Sequence, residues 1–307
     1  MAKGGDANNG LHRRPTATPY RVSTITAVGN VGAHINLPRF FAEVPINDTD
    51  VGDEGGTTCC YVYAELAMEW RGVQMPAAKA AAARRMARMA ESGASRRPRH
   101  FDNQVTVVHR TEDGVRLNIK VFKNGQVQLT GIKLAKQGET AVSHLAMMLG
   151  DMERKSPGIL QPGGGVPIAS GYRVCLINSD FNLGFQLMRD RLFHWMRANC
   201  DTVCAYEPCI YPGVKINYMW NSEPSTIEHH GVCQCPLPAR TKCGRGAGCG
   251  EGQCRKVTIA VFQSGSVIIT GAHHLEQLDD AYRFVVDDLA AASYDDILKP
   301  ELGKLSI

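Results

Sequence analysis

The stretch IKVFKNGQVQLTG at residues 119–131 returns as IAVFQSGSVIITG at residues 259–271. Ile119, Val121, Phe122, Gly125, Val127, Thr130 and Gly131 recur as Ile259, Val261, Phe262, Gly265, Val267, Thr270 and Gly271, each 140 residues later. A second echo lies upstream, where Tyr20-Arg21-Val22 and Gly32 return as Tyr172-Arg173-Val174 and Gly184 after 152 residues. Two matches in the same order imply duplication of a whole domain, with loops that later changed length. The repeated stretch reads as a hairpin, because strand side chains alternate between faces. One face receives Ile119, Val121, Val127 and Leu129 in the first copy and Ile259, Val261, Val267 and Ile269 in the second. All eight are β-branched or Leu, as a sheet face packed on helices requires. The other face receives Lys120, Phe122, Gln126, Gln128 and Thr130, then Ala260, Phe262, Ser266, Ile268 and Thr270. A Phe beside one turn is ordinarily packed under a loop. A Phe at the same place in both copies, on a mixed face away from the helices, points to a broad contact surface.

Outward from the hairpins, each copy has one order of parts. An extended segment (20–31; 172–183) precedes a helix, clearest at Leu187–Ala198, then several strands, then a closing helix near Thr140–Leu149 and His274–Ala292. The boundaries are a flexible polar arm at 1–19, repeat 1 at 20–149, a linker at 150–170 whose Pro and Gly concentrate in SPGILQPGGGVPIAS (156–170), repeat 2 at 171–292, and a tail at 293–307. Repeat 1 carries an insertion at about 43–100 with an Ala/Arg/Met-rich helix near Pro76–Glu91, and repeat 2 carries one at about 221–256. No apolar run in the 307 residues approaches the ~20 needed to cross a bilayer, and the first residues lack the apolar stretch of a secretory signal. The expectation is an intracellular protein. Net charge is +4, so any interaction with polyanions rests on local clusters such as Arg84, Arg85, Arg88, Arg96, Arg97, Arg99 and His100. That run reads first as a solvated helix face and loop, with phosphate contact as the alternative.

Eleven cysteines in such a chain favour thiols or metal over disulfides. Cys233, Cys235, Cys243, Cys249 and Cys254 crowd into 22 residues rich in Gly and Pro. A loop of that composition cannot build a core, and four thiolates on a structural zinc would order it. His229 and His230 are substitutes, and loose thiols are the alternative. Cys200, Cys204 and Cys209 read as packing residues. No nucleophile–base pair, paired carboxylates or phosphate-binding glycine motif stands out, and His273-His274 reads as a polar helix entry, so the expectation is a non-enzyme.

At these residues the chain resembles the TATA-box-binding protein family. VFQSGSVIITGA at 261–272 matches the family's strand–turn–strand motif closely, and VFKNGQVQLTGI at 121–132 nearly so. Tyr206-Glu207-Pro208-Cys209-Ile210-Tyr211-Pro212-Gly213 reads like the family's Tyr-Glu-Pro stretch and aromatic-Pro-Gly strand start, and Asn30-Val31-Gly32 and Asn182-Leu183-Gly184 align with the exits of its first strands. The resemblance covers both repeats and neither insertion, and long insertions of this kind resemble those of divergent versions in large DNA viruses. It implies an α+β fold: a pseudo-twofold saddle of two tandem repeats, with a curved antiparallel sheet and helices on the convex face.

That family is itself a standard example of minor-groove binding by inserted apolar side chains, so the mechanism comes with the resemblance. Carried over by position, the wedges are Phe101 with Phe122 and Tyr211 with Phe262. Thr130 and Thr270 face the centre of the groove, with Lys120, Gln128, Ile268, Thr24 and Asn178 on the same surface. The implied partners are double-stranded DNA read at an A·T-rich minor groove, a general initiation factor B-like protein and RNA polymerase, and no membrane. The implied place is the nucleus or a viral transcription site. Thr24 and Leu176 stand where the family has paired asparagines, with Asn178 two residues on. Lys120 and Gln128 replace apolar residues, and Tyr211 replaces a Phe. These departures favour, as the alternative, an interaction module whose concave face binds protein.

Overall fold

The computed structural model describes residues 15–47, 61–67, 69–72, 103–222, 231–233, 235–236, 243–250 and 252–300. Phe101, His229, His230, the arginine cluster and the helix expected near 76–91 lie outside them. The chain divides into two compact units, one running from Ser23 to Ile177 and the other from Asn178 onward together with the segment that ends at Val22. The fold class is α+β: open antiparallel sheet with a few helices on one face.

In the first unit the strands are β1 (Arg21–Asn30), β2 (Tyr61–Leu66), β3 (Glu69–Gly72), β4 (Gln104–Arg110), β5 (Arg116–Phe122) and β6 (Gln126–Ile132), in the order β3-β2-β4-β5-β6-β1. In the second they are β7 (Ser170–Asn182), β8 (Val203–Ala205), β9 (Val214–Trp220), β10 (Arg255–Val261) and β11 (Ser266–Ala272), in the order β7-β11-β10-β9-β8. Apart from β3 the two orders are the same. β2 falls inside the stretch read as an insertion, yet it pairs with β4 as β8 pairs with β9. The additional material in the first unit is therefore a longer connection between Glu43 and Tyr61, together with β3 and the chain that follows it. Arg71 of β3 donates to the carbonyls of Phe41, Ala42 and Val44, closing the C-terminal end of the short helix α1 (Leu37–Glu43).

The two hairpins share one register. Ile119 pairs with Leu129 and Lys120 with Gln128 in the first; Ile259 pairs with Ile269 and Ala260 with Ile268 in the second. All eight residues of the expected inner face are at most 1% exposed. Each such side chain contributes about 1.5–3 kcal/mol when fully buried, so this face anchors each sheet to its helices. Those helices are α2 (Ala135–Lys155) in the first unit, and in the second α3 (Arg189–Asn199), α4 (Leu275–Arg283), a wider π-helical run Phe284–Ala290 and α5 (Ala291–Ile297).

Several helix boundaries differ from the expectation. α2 extends a turn or more beyond 140–149 at each end, because Gly138, Ala141, Val142, Leu145, Leu149 and Met152 form one buried stripe. Gln137 also accepts from the N–H groups of Lys133 and Leu134 at its start. Leu187 precedes α3 and is buried as a bridge partner of Leu298. Residues 15–19, read as part of a flexible arm, are tied down instead. The Thr18 N–H donates to the Asn182 carbonyl at 2.8 Å, the Asn182 N–H donates to Thr18 Oγ1 at 3.0 Å, and the Tyr282 hydroxyl donates to the Thr18 carbonyl at 3.1 Å. Tyr20 donates to Asp279 at 2.7 Å and packs on Tyr282. Burial, reinforced by Asp279, raises the Tyr20 phenol to about 12.

The duplicated turns explain why two distant echoes recur together. The Val31 N–H donates to the Gly125 carbonyl at 2.9 Å and the Ile35 N–H to the Lys123 carbonyl at 2.8 Å. In the second unit Leu183 donates to Gly265 at 2.9 Å and Leu187 to Gln263 at 3.0 Å. Asn30 and Asn182 each accept from the glycine two residues on, Gly32 and Gly184. The turn at the hairpin tip is thus clasped by the exit of the first strand. Gly125 (φ +79°) and Gly265 (φ +82°) are required there, since a Cβ would lie 2.4 Å from the Ala33 carbonyl oxygen and 2.1 Å from that of Phe185.

Candidate nucleic-acid interface

The outer face of each sheet is set by the same alternation that buries the inner one. In the first unit it carries the cross-strand pairs Asn118–Thr130 and Lys120–Gln128, with Thr106 opposite Lys120 and Gln104 opposite Phe122. Phe122, Lys120, Gln128 and Thr130 are all half-buried, covered by neighbours along the sheet and open above it. Arg110 and Arg116 pair at the far end of β4–β5. Thr24 is less available than expected, since its hydroxyl accepts from the Gly131 N–H at 3.2 Å beside an irregularity in the β1–β6 register.

In the second unit the corresponding pairs are Thr258–Thr270 and Ala260–Ile268. The Thr270 hydroxyl leans toward the Thr258 carbonyl at 3.5 Å. Ile268 is half-buried and Ala260 is 5% exposed, so this half of the surface is smoother and less polar than its counterpart. Tyr211 and Phe262 come together with ring centroids 5.8 Å apart. Gly213 makes that approach feasible, because a Cβ there would sit 3.0 Å from the Tyr211 ring and 3.1 Å from Phe262. Lys215 Nζ lies 4.1 Å from the centre of the Tyr211 ring, an arrangement that steadies the tyrosine and keeps a cation beside it.

Asn178 lies on the outer side of β7, between the inward Ile177 and Ser179. Its side-chain oxygen is buried and has no hydrogen-bond partner among the described residues. On β7 the acidic group Asp180 shares this side and is held by Arg21 at 2.7 Å. Sequence reasoning missed both Asp180 and Lys215. Period-two alternation from Asn178 and Gly213 would have placed them. Of the two expected aromatic pairs, only Tyr211 with Phe262 lies wholly within the described residues.

The cysteines sort by burial. Cys235 is 2% exposed and Cys254 1%, Cys233 and Cys243 are half-buried, and Cys249 is exposed. The sulfurs of Cys233, Cys235 and Cys243 lie within 4.8 Å of one another. Cys200 and Cys204 are half-buried as packing residues would be, and burial raises both thiols. Cys209 is exposed, correcting its reading as a packing residue: it lies in the turn Glu207–Tyr211 ahead of β9, with Ile210 78% exposed beside it.

The family model described as transcription factor TFIID (or TATA-binding protein, TBP) matches residues 251–292, the segment holding β10, β11, α4, the π-helical run and the start of α5. A curated protein called TATA-box-binding protein-like, from Acanthamoeba polyphaga mimivirus, is 26% identical over 205 residues, which are 61% of this chain and 47% of that protein. The chain thus matches about half the length of that relative. Methanococcus jannaschii TBP aligns in structure with a TM-score of 0.43 and 14% identity, over 89% of this chain and 99% of that one. No described helix is long and apolar enough to cross a membrane.

Proposed function

We propose that this chain, a divergent TATA-box-binding-protein-like protein, is a non-enzymatic DNA-binding transcription initiation factor that bends the minor groove of promoter DNA. The observation that carries the reading is the paired construction of the outer sheet faces. In each unit a phenylalanine, Phe122 or Phe262, stands at the hairpin tip, followed by uncharged groove-sized groups at Thr130 and Thr270. At one tip a second aromatic, Tyr211, joins Phe262 over Gly213. Aromatic wedges unstack base steps at about a few kcal/mol each, and the protein surface wrapped by the bent duplex offsets that cost. Phe101 is the proposed companion of Phe122.

Lys120, Lys215 and Lys256 supply phosphate or groove-edge contacts. Gln128, Ile268, Thr24 and Asn178 fill the floor, where A·T-rich sequence is told from G·C-rich. The proposed partners are an A·T-rich duplex, an initiation factor B-like protein and RNA polymerase, and the proposed location is the nucleus or a viral transcription site. A structural zinc held by four of the five loop cysteines completes the reading. Asp180 on the outer face favours the second reading, a protein-interaction module, since a carboxylate facing phosphates is repulsive unless Arg21 stays bound to it.

Energy transfer between the ends of short labelled duplexes tests the proposal at near-physiological salt. Ends drawn together on A·T-rich DNA, more than on G·C-rich DNA, are the expected result. Saturable binding without approach of the ends would eliminate bending and leave the interaction module.

A further inference from the structure

Among the described residues of the connection between β9 and β10, the buried side chains are those of Cys235 and Cys254. The connection wraps the end of that hairpin on both sides. Gly231 abuts the Tyr218 ring and Gly248 the Trp220 ring on the inner face, where a Cβ would come within 2.6 and 2.5 Å. Gly244 abuts Lys256, and Cys243 Sγ sits 4.0 Å from Met219 Sδ, on the outer face. Gly244 and Arg245 form isolated bridges to Arg255, a short added rung beside the start of β10. These contacts hold the rim of the loop. Its middle contains few apolar side chains, yet Cys235 and Cys254 are almost wholly excluded from solvent.

None of the five loop cysteines is disulfide-bonded. The Cys235 N–H donates to the Cys233 sulfur at 3.4 Å. Cys254 is in hydrogen-bonding contact with Cys235 and so borders the group formed by Cys233, Cys235 and Cys243. A tetrahedral zinc site with Zn–S of about 2.3 Å has sulfur–sulfur edges of about 3.8 Å. Three sulfurs already within 4.8 Å of one another need close by only about 1 Å to meet that geometry. Cys249 lies exposed, apart from this group.

We infer that Cys233, Cys235, Cys243 and Cys254 together bind one zinc ion as a structural tetrathiolate, leaving Cys249 outside. The inference deepens the zinc reading above by naming the ligands, and it stands independently of DNA bending. The ion joins the two roots of the loop, since Cys233 and Cys235 follow the β9 side and Cys254 immediately precedes β10. It thereby fixes the Gly244–Arg245 rung against Arg255. Such a clamp substitutes for the hydrophobic core that so short and glycine-rich a segment cannot form.

The test uses the full chain purified without added chelator. Elemental analysis should give one zinc per chain, and replacement by cobalt(II) should give the intense ligand-field absorption of a tetrahedral thiolate site. Cys249→Ser should keep both signals, and Cys254→Ser should lower zinc affinity at least tenfold. Alkylation of the unmodified protein, mapped by mass spectrometry, covers the case in which Cys254→Ser fails to fold. Cys249 should react with or without chelator, and the other four only after chelation. Zinc retained by Cys254→Ser but lost by Cys249→Ser, or alkylation that chelator does not alter at the four positions, would overturn the ligand assignment while leaving a zinc site. A metal-free protein of unchanged stability would overturn the zinc reading itself.

Discussion

Replacing Gly125 by Ala should cost far more than replacing Gly114, although the two share one backbone conformation. Both have φ of +79°, so the penalty for placing an L side chain in the left-handed region, about 1–2 kcal/mol, is common to both. Nothing lies within 4 Å of a Cβ at Gly114, whereas at Gly125 the Ala33 carbonyl oxygen lies 2.4 Å away. That carbonyl and the turn must part by roughly 1 Å to reach ordinary van der Waals contact. The separation strains the hydrogen bonds from Val31 to Gly125 and from Ile35 to Lys123. At a net value of about 1 kcal/mol each, their loss brings the total to about 3–4 kcal/mol, against about 1–2 kcal/mol for Gly114→Ala. Urea unfolding of the two variants, followed by circular dichroism, measures the difference. Gly265→Ala repeats the experiment in the second unit, with the Phe185 oxygen at 2.1 Å. Equal destabilisation by Gly125→Ala and Gly114→Ala would refute the argument that the strand exit clasps the hairpin tip.

Other outcomes follow from the same geometry. Phe122→Ala combined with Phe262→Ala should abolish approach of duplex ends while shifting the unfolding midpoint only modestly, since both rings are half-exposed; loss of the folded state would assign them to the core. Lys215→Ala should weaken DNA binding evenly across sequences and reduce the slope of log affinity against log salt by about 1; an unchanged slope would place this cation away from phosphate. His109, buried against Tyr61 and His144, is held near pKa 4 by burial and then by the charge of His144. Between pH 6.5 and 4 the unfolded chain takes up a proton there that the folded chain refuses, so stability should fall on acidification by up to about 3 kcal/mol. The drop between pH 7 and pH 4 should be smaller by that amount in His109→Phe, and an identical drop in both proteins would exclude His109 as its source.

The hairpins were legible because a period of two and a duplicated turn leave few alternatives. Ile119, Val121, Val127 and Leu129 are inner-face residues as read, and their counterparts in the second copy match them pair for pair. The clasp was half legible. Gly32 and Gly184 were visible as echoes, but the carbonyls they help to position, Ala33 and Phe185, meet the turn only across space. β2 was hidden by the length difference around it, since the signal lies in its pairing with β4. The boundaries of α2 depend on a stripe whose ends, Gly138 and Met152, look no different from surface residues until the sheet covers them. The order of the cysteines says which are near in sequence, whereas burial separates Cys249 from Cys254, only five residues later.

The strap made by Thr18 and Tyr20 has a consequence for how the chain comes off the ribosome. The unit from Ser23 to Ile177 is continuous and contains all its own strands from β2 to β6, so it can close while the rest is still being made. The other unit needs both the first described residues and Asp279 and Tyr282 near the far end. Its earliest-made piece meets its first partner, Asn182, only 164 residues later, and Tyr20 meets Asp279 only after 259. Contacts of such long sequence separation form late because the loop between them must first be closed. A stalled or shortened product would carry a finished first half and a strap whose Tyr20 lacks Asp279 and Tyr282.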